Sequence, residues 1–186
     1  MNLPNLISLA RLLSVPLLVW ALLAGELKLA FWIFIAAGVS DAVDGYVAKR
    51  LHVTSVLGGY LDPLADKALL VSVYVTLGYQ GYLPTWLVIL VVFRDVMIIG
   101  GALLFQTLTH SLKMQPLLIS KINTLAQIVL AAVVLGMAAF VLAGSAAAGS
   151  DLYWALVYLV AVTTLLSGAG YLVRWGRKAG NMEDAR

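Results

Sequence analysis

Cysteine is absent from this chain of 186 residues, and only 11% of its residues are charged. The absence of cysteine excludes disulfide bonds, thiolate nucleophiles and cysteine-ligated metal sites. A typical soluble domain is about half apolar and about a quarter charged. Here 62% of the residues are hydrophobic and the mean hydropathy is +0.98. The long apolar runs do not alternate with polar residues as in a membrane β-barrel, so they predict membrane helices.

Six apolar segments are long enough to cross a hydrocarbon core of about 30 Å as helices that rise ~1.5 Å per residue. We predict spans at residues 5–24, 28–49, 57–78, 84–106, 118–142 and 151–173. The connections are short, so we expect one domain over residues 1–186 with a frayed polar end, NMEDAR. The predicted fold class is all-α, a polytopic membrane protein built as a six-helix bundle.

Lysine and arginine are concentrated on one side of this predicted bundle. Lys49 and Arg50 follow the second span, Lys113 lies in the fourth loop, and Arg174 follows the last span. The opposite side has only Lys28. Because cytoplasmic loops carry the excess of basic residues, we expect both termini to be cytoplasmic.

The few acidic residues are concentrated in one stretch, SDAVDGYVAKRLHVTSVLGGYLDPLADK, at residues 40–67. It holds four of the nine acidic residues of the chain, Asp41, Asp44, Asp62 and Asp66. Residues three and four apart share a helix face, so the second and third spans each present a pair of aspartates beside small residues. An aspartate near the centre of a spanning helix costs about 2.5–3.5 kcal/mol to insert. Four of them also repel one another.

Hard divalent cations relieve both penalties, because Mg²⁺ and Mn²⁺ prefer carboxylate oxygen ligands. Two ions about 3.5–4 Å apart can clamp a pyrophosphate and stabilise charge on its leaving group. The alternative is that the aspartates form interfacial ion pairs with Lys49, Arg50 and Lys67. An EF-hand is excluded, because the ligand spacing differs and no glutamate closes the loop. We therefore expect a hydrated metal site that faces the cytoplasm.

The same residues resemble the signature of the CDP-alcohol phosphatidyltransferase family, D-x2-D-G-x2-A-R-x8-G-x3-D-x3-D. Every spacing is met, by the residues Asp41, Asp44, Gly45, Ala48, Lys49, Gly58, Asp62 and Asp66. The one departure is Lys49, where the family usually has arginine. A lysine keeps the charge but lacks the planar fork that binds phosphate oxygens in a bidentate manner.

The resemblance implies transfer of a phosphatidyl group from CDP-diacylglycerol to an alcohol, with release of CMP. It implies that Asp41, Asp44 and Asp62 are metal ligands and that Asp66 contacts the second metal and acts as the general base. The donor-binding residues that it implies are Gly45, Ala48, Lys49 and Gly58. It further implies Mg²⁺ or Mn²⁺, as two ions, a homodimer, and a bacterial inner membrane with the active site facing the cytoplasm.

The helices at about 84–142 form the part in which members of this family differ, according to their acceptor. Arg94 and Asp95 interrupt the fourth span, where charged residues are functional candidates by default. The alternative is a structural ion pair, although adjacent residues point ~100° apart and need not pair with each other. A polar stripe on the fifth span contains Ser120, Asn123, Thr124 and Gln127, with Lys121 beside it. We expect Arg94 and Lys121 to bind the anionic acceptor.

The segments FRDVMIIGG and LLISKINTLAQIVL resemble those of eukaryotic-type cardiolipin synthases, whereas bacterial phosphatidylglycerophosphate synthases share LGGYLDPLADK closely. Synthases that use glycerol 3-phosphate typically carry Arg-Glu and a further arginine in the fourth span. Here Asp95 follows Arg94, and Gly100, Gly101 and Ala102 occupy the region of the second arginine. Fewer cations and smaller residues favour phosphatidylglycerol as the acceptor, giving cardiolipin. Glycerol 3-phosphate, giving phosphatidylglycerophosphate, is the alternative.

Two other interpretations stay open from the residues alone. A cation or proton transporter also has intramembrane aspartates, but it favours carboxylates at the midplane and paired broken helices. The four aspartates here lie toward one side. Arg11, with Asn5 and Ser8, either lines the donor site or anchors the first span at the headgroups.

Overall fold

The computed structural model describes residues 3–51, 58–109, 118–141 and 150–183, and the side chains of residues 9–41, 65–101, 118–140 and 150–174. The helices are α1 (Leu3–Leu23), α2 (Leu27–Leu51), α3 (Gly58–Tyr79), α4 (Thr85–Thr109), α5 (Leu118–Gly136) and α6 (Asp151–Glu183). No strand occurs among the described residues. The predicted all-α class is therefore confirmed, and each predicted span coincides with one helix.

The predicted boundaries differ from the structure most at the ends of the last two helices. α6 has 33 residues and continues to Glu183, beyond the predicted span at residues 151–173, which itself agrees with the apolar segment Asp151–Arg174 of this helix. No proline interrupts residues 174–183, and backbone hydrogen bonds can therefore continue past the apolar part. α5 passes into a π-helical turn, Met137–Val141, which the apolar pattern alone did not indicate.

Two helix ends require glycine, because the chain there adopts a left-handed conformation. Gly25, after α1, has a φ of 77°, and Gly81, after α3, has a φ of 79°. Residues with a Cβ disfavour this conformation. At the first of these ends the amide of Glu26 donates to the carbonyl of Ala21 at 2.9 Å, which satisfies an end carbonyl. These short turns let α2 return against α1 and α4 return against α3.

The helices close into a bundle through a few extensive pairings. α1 packs against α2 and α3, α5 packs against α2 and α6, and α4 packs against α3 and α6. The core between them includes the fully buried side chains of Leu18, Tyr74, Leu130 and Val157. The buried Tyr74 hydroxyl donates to the carbonyl of Gln127 at 3.0 Å. This packing brings the aspartate-bearing parts of α2 and α3 beside α1 and α5.

The outside of the bundle is also apolar, with exposed side chains such as Trp20, Phe93 and Leu165. Extensive apolar exposure of this kind marks a surface that contacts lipid or protein. Within the described residues, two helices are long and apolar enough to cross a membrane. Leu118–Phe140 has 23 residues and a hydropathy of 2.0, and Asp151–Arg174 has 24 residues and a hydropathy of 1.9. These features indicate a membrane protein, while the number of spans and the sides of the termini stay predictions.

Candidate active site

Three charged side chains from three different helices meet where α1 lies beside α2 and α3. Nη1 of Arg11, on α1, donates to Oδ1 of Asp41 on α2 at 2.8 Å, and the same nitrogen donates to Oδ1 of Asp66 on α3. Arg11 is 3% exposed, whereas the side chains of Asp41 and Asp66 are 50% and 39% exposed. The first and last aspartates of the signature therefore converge, as the antiparallel helices predict. The contact with Arg11 was not predicted.

The other signature residues lie on helices whose backbone, but not whose side chains, the structure describes at these positions. Asp44, Gly45, Ala48 and Lys49 lie on α2, and Gly58 and Asp62 lie on α3. Their roles as metal ligands and donor-binding residues fall outside the described side chains and stay predictions. Asp44 and Asp62 belong to the same helices as the converging pair.

A cavity of about 80 Å³ lies beside the two aspartates. Its polar lining consists of Arg11, Asp41, Asp66 and Thr124. Gly38 also lines it, and a Cβ added there would meet nothing within 4 Å. Arg11 also borders a larger groove of about 490 Å³ between α1 and α2. The candidate site thus takes residues from α1, α2, α3 and α5, which were distant segments in the sequence.

The carboxylates of Asp41 and Asp66 have the chemistry that a divalent metal requires. Oδ1 of each carboxylate accepts a hydrogen bond from Nη1 of Arg11. Both side chains are half-exposed and line the same cavity. Hard oxygen donors that converge in this way suit Mg²⁺ or Mn²⁺. The described side chains are therefore compatible with the predicted metal site.

A second charged cluster lies inside the bundle around Asp95, which is 2% exposed. Oδ1 of Asp95 accepts from Nη1 of Arg94 at 2.6 Å and from Nζ of Lys67 at 2.8 Å. Adjacent helical residues need not pair, but the long arginine side chain here reaches back to its neighbour. The ion-pair alternative assigned Lys67 to the signature aspartates, and this was wrong, since Lys67 binds Asp95. Sequence reasoning did not identify Lys67 as a partner of Asp95.

Arg94 also connects three helices through hydrogen bonds to serine hydroxyls. Its Nη2 donates to Ser120 on α5 at 2.5 Å, and its Nε donates to Ser167 on α6 at 3.2 Å. Ser167 was missed, because a single serine in an apolar helix gives no distinctive signal. The predicted companion Lys121 is exposed and, among the described residues, has no ion pair. The structure therefore does not bring Lys121 to the Arg94 cluster.

The polar residues of α5 contribute partly to the aspartate cavity and partly to the packing of α5 against α6. Thr124 lines the aspartate cavity, whereas Oδ1 of Asn123 accepts from Thr163 at 2.8 Å and from Thr164 at 2.9 Å. Within the described residues, neither amide atom of the buried Gln127 has a hydrogen-bond partner. Much of the stripe therefore serves helix packing, as such stripes commonly do.

The chain belongs to the CDP-alcohol phosphatidyltransferase family, which it matches over residues 1–166. The fold and the converging aspartates agree with the family signature that the sequence carries.

Among curated relatives, it is 34% identical over 192 residues to CDP-diacylglycerol–glycerol-3-phosphate 3-phosphatidyltransferase 1, chloroplastic, of Oryza sativa subsp. japonica, covering 94% of this chain and 57% of the relative. It is 30% identical over 193 residues to cardiolipin synthase (CMP-forming) of Rattus norvegicus, covering 95% of this chain and 62% of the relative. It is 36% identical over 105 residues to cardiolipin synthase (CMP-forming) of Streptomyces coelicolor, covering 53% of this chain and 49% of the relative. The chain thus spans about half to three-fifths of the length of these relatives.

Proposed function

We propose that the protein transfers a phosphatidyl group from CDP-diacylglycerol to phosphatidylglycerol, giving cardiolipin and CMP. The observation that carries this proposal is the convergence of Asp41 and Asp66, the two ends of the family signature, on one cationic nitrogen. A pair of helices that only crossed the membrane would have no need to direct two carboxylates at the same point. A transporter gives a weaker account, because transporters often have paired broken helices and the sequence has no second half that mirrors the aspartate-bearing segment.

The signature residues divide the chemistry among themselves. Asp41, Asp44 and Asp62 are assigned to hold Mg²⁺ or Mn²⁺, and Asp66 is assigned to touch the second ion. When bound, these ions supply positive charge that stabilises the pyrophosphate and the departing CMP. Asp66 accepts the proton of the acceptor hydroxyl while the hydroxyl oxygen bonds to the β-phosphorus. At the same time the bond between the β-phosphorus and the oxygen that leaves with CMP breaks. Gly45, Ala48, Lys49 and Gly58 are assigned to surround the cytidine diphosphate.

The charge of the internal cluster supports the lipid acceptor. Arg94 and Lys67 contribute two positive charges and Asp95 one negative charge, so the cluster has a net charge of one. The phosphodiester of phosphatidylglycerol carries one negative charge, whereas glycerol 3-phosphate is nearly a dianion. Arg94 is assigned to the acceptor side, and Lys121 to attraction of anionic headgroups at the exposed face of α5.

The second candidate is the synthesis of phosphatidylglycerophosphate from glycerol 3-phosphate. The 34% identity to the Oryza sativa relative favours it, because that protein is named for this reaction. The two candidates share the donor and the aspartates and differ only in the acceptor.

The proposal includes a six-span arrangement with both termini in the cytoplasm, in a bacterial inner membrane, as a homodimer. The basic loops support this orientation, because cytoplasmic loops are enriched in lysine and arginine. It places Asp41 and Asp66 toward the cytoplasmic side, from which water-soluble CMP can leave.

The test is a turnover assay with purified protein, CDP-diacylglycerol and Mn²⁺, in which phosphatidylglycerol and glycerol 3-phosphate are offered separately. Mass spectrometry identifies the lipid product, and CMP release is measured in parallel. We expect cardiolipin from phosphatidylglycerol, and no product from an Asp41→Asn control. Formation of phosphatidylglycerophosphate alone would support the second candidate. If no CMP is released from CDP-diacylglycerol with either acceptor in the presence of Mn²⁺, both candidate functions are refuted.

A further inference from the structure

Arg11 is the only described residue that the structure places in hydrogen-bonding contact with both Asp41 and Asp66. It is almost fully buried, while both carboxylates are half-exposed. A guanidinium is rigid, stays protonated and can hold two carboxylates at once. Its position between two cavities means that it forms part of the wall of the candidate site.

The packing of the helices gives this contact its importance. In the part of the chain that the structure describes, α1 packs extensively against both α2 and α3, whereas α2 and α3 make few direct contacts with each other. Asp41 and Asp66 are therefore positioned largely through α1. Arg11 is the residue of α1 that reaches both, and it joins positions 30 and 55 residues away in the sequence.

Two like charges on separate helices would otherwise repel each other. Without a cation between them, the carboxylates of Asp41 and Asp66 would favour greater separation. A metal site requires the opposite, because ligands must already lie at the right separation for binding to be tight. The contact through Nη1 of Arg11 supplies this positioning before any metal or substrate arrives.

We infer that Arg11 is a positioning residue of the metal site, which holds Asp41 and Asp66 in the arrangement that binds a divalent cation. This inference rests on the proposed function, since it requires that these aspartates bind metal. It differs from both roles expected from the sequence, because Arg11 acts on the aspartates rather than on the donor or the headgroups. It also opposes the simplest electrostatic expectation, in which a nearby cation competes with the metal.

The experiment measures Mn²⁺ binding to the full-length protein in detergent, without substrate, from the electron paramagnetic resonance signal of free Mn²⁺. We expect Arg11→Gln to weaken Mn²⁺ binding about tenfold. Arg11→Lys is expected to weaken it about threefold, since an ammonium on a different stem keeps the charge but fits both carboxylates less well. Circular dichroism confirms that each variant retains its helices.

The matched control is Arg94→Lys, because Arg94 is equally buried but does not bind Asp41 or Asp66. We expect this variant to keep wild-type affinity for Mn²⁺. An equal loss in Arg94→Lys and Arg11→Lys would overturn the inference, because it would show a general effect of a buried charge. Wild-type affinity in Arg11→Lys, or unchanged or tighter binding in Arg11→Gln, would overturn it as well.

The Asp66→Asn and Asp41→Asn variants separate this inference from the proposed function. If wild-type protein binds Mn²⁺ and both asparagine variants bind it more weakly, the metal site stands and the Arg11 variants decide the inference alone. If wild-type protein binds no Mn²⁺, the metal part of the proposed function fails and the inference fails with it.

Discussion

Replacing Asp95 by asparagine removes the one negative charge of the cluster formed by Arg94, Asp95 and Lys67. Oδ1 of Asp95 accepts from both cations, at 2.6 and 2.8 Å, and the residue is 2% exposed. Removing one partner of a buried ion pair costs about 3–5 kcal/mol, because the other charge stays buried without compensation. Asparagine keeps the size and one acceptor oxygen, so we expect a loss near the lower end, about 3 kcal/mol.

The free energy of unfolding can be measured by titrating a denaturing detergent into micelles of the protein and following helix content by circular dichroism. Asp151→Asn is the matched control, because Asp151 is an exposed aspartate at the start of α6. We expect a much smaller loss there, since exposed charges near a helix N-terminus contribute little.

A double variant tests the cause of the expected loss. Combining Lys67→Met with Asp95→Asn removes one of the two cations together with the carboxylate, so part of the lost stability should return. A loss below about 1 kcal/mol in Asp95→Asn would refute the reasoning, because it would show that the buried charges are compensated elsewhere. An unchanged loss in the double variant would refute the assignment of this loss to buried positive charge left without compensation.

Three further outcomes test the site and the packing around it. Gly38→Leu should fill the cavity beside Asp41 and lower CMP release at least tenfold, whereas Gly38→Ala should be tolerated, because a Cβ there meets nothing within 4 Å; equal activity of the two variants would contradict this. Asp66→Asn should abolish turnover while Mn²⁺ binding partly survives, and removal of divalent metal with a chelator should stop turnover of the wild type reversibly; substantial CMP release by the variant would remove Asp66 from the role of base. Asn123→Leu should destabilise the bundle by about 1–3 kcal/mol, since two threonine hydroxyls lose an acceptor, and Gln127→Leu should cost less, because its amide atoms have no partner among the described residues; the reverse order in unfolding measurements would contradict the assigned hydrogen bonds.

The sequence determined the features that depend on local pattern. Apolar runs of spanning length predicted six helices, and a helix is present at each predicted span. Most of the predicted boundaries lie within a few residues of the observed ones, because helix formation depends on neighbouring residues. The spacing of the signature aspartates placed one pair on α2 and one pair on α3, because residues three and four apart share a helix face. The family likewise followed from residues at fixed spacings, and the match over residues 1–166 confirmed it.

Only the tertiary structure decided which charged residues meet. Arg11 binds aspartates 30 and 55 residues away, and Arg94 binds a serine 73 residues away, at distances along the chain over which no periodic pattern applies. The sequence showed Lys67 beside Asp66 and Lys121 beside the polar stripe, but adjacent helical residues face different directions. The rotation of each helix about its axis is set by how its apolar face packs against its neighbours. In this packing Lys67 binds Asp95, and Lys121 is exposed.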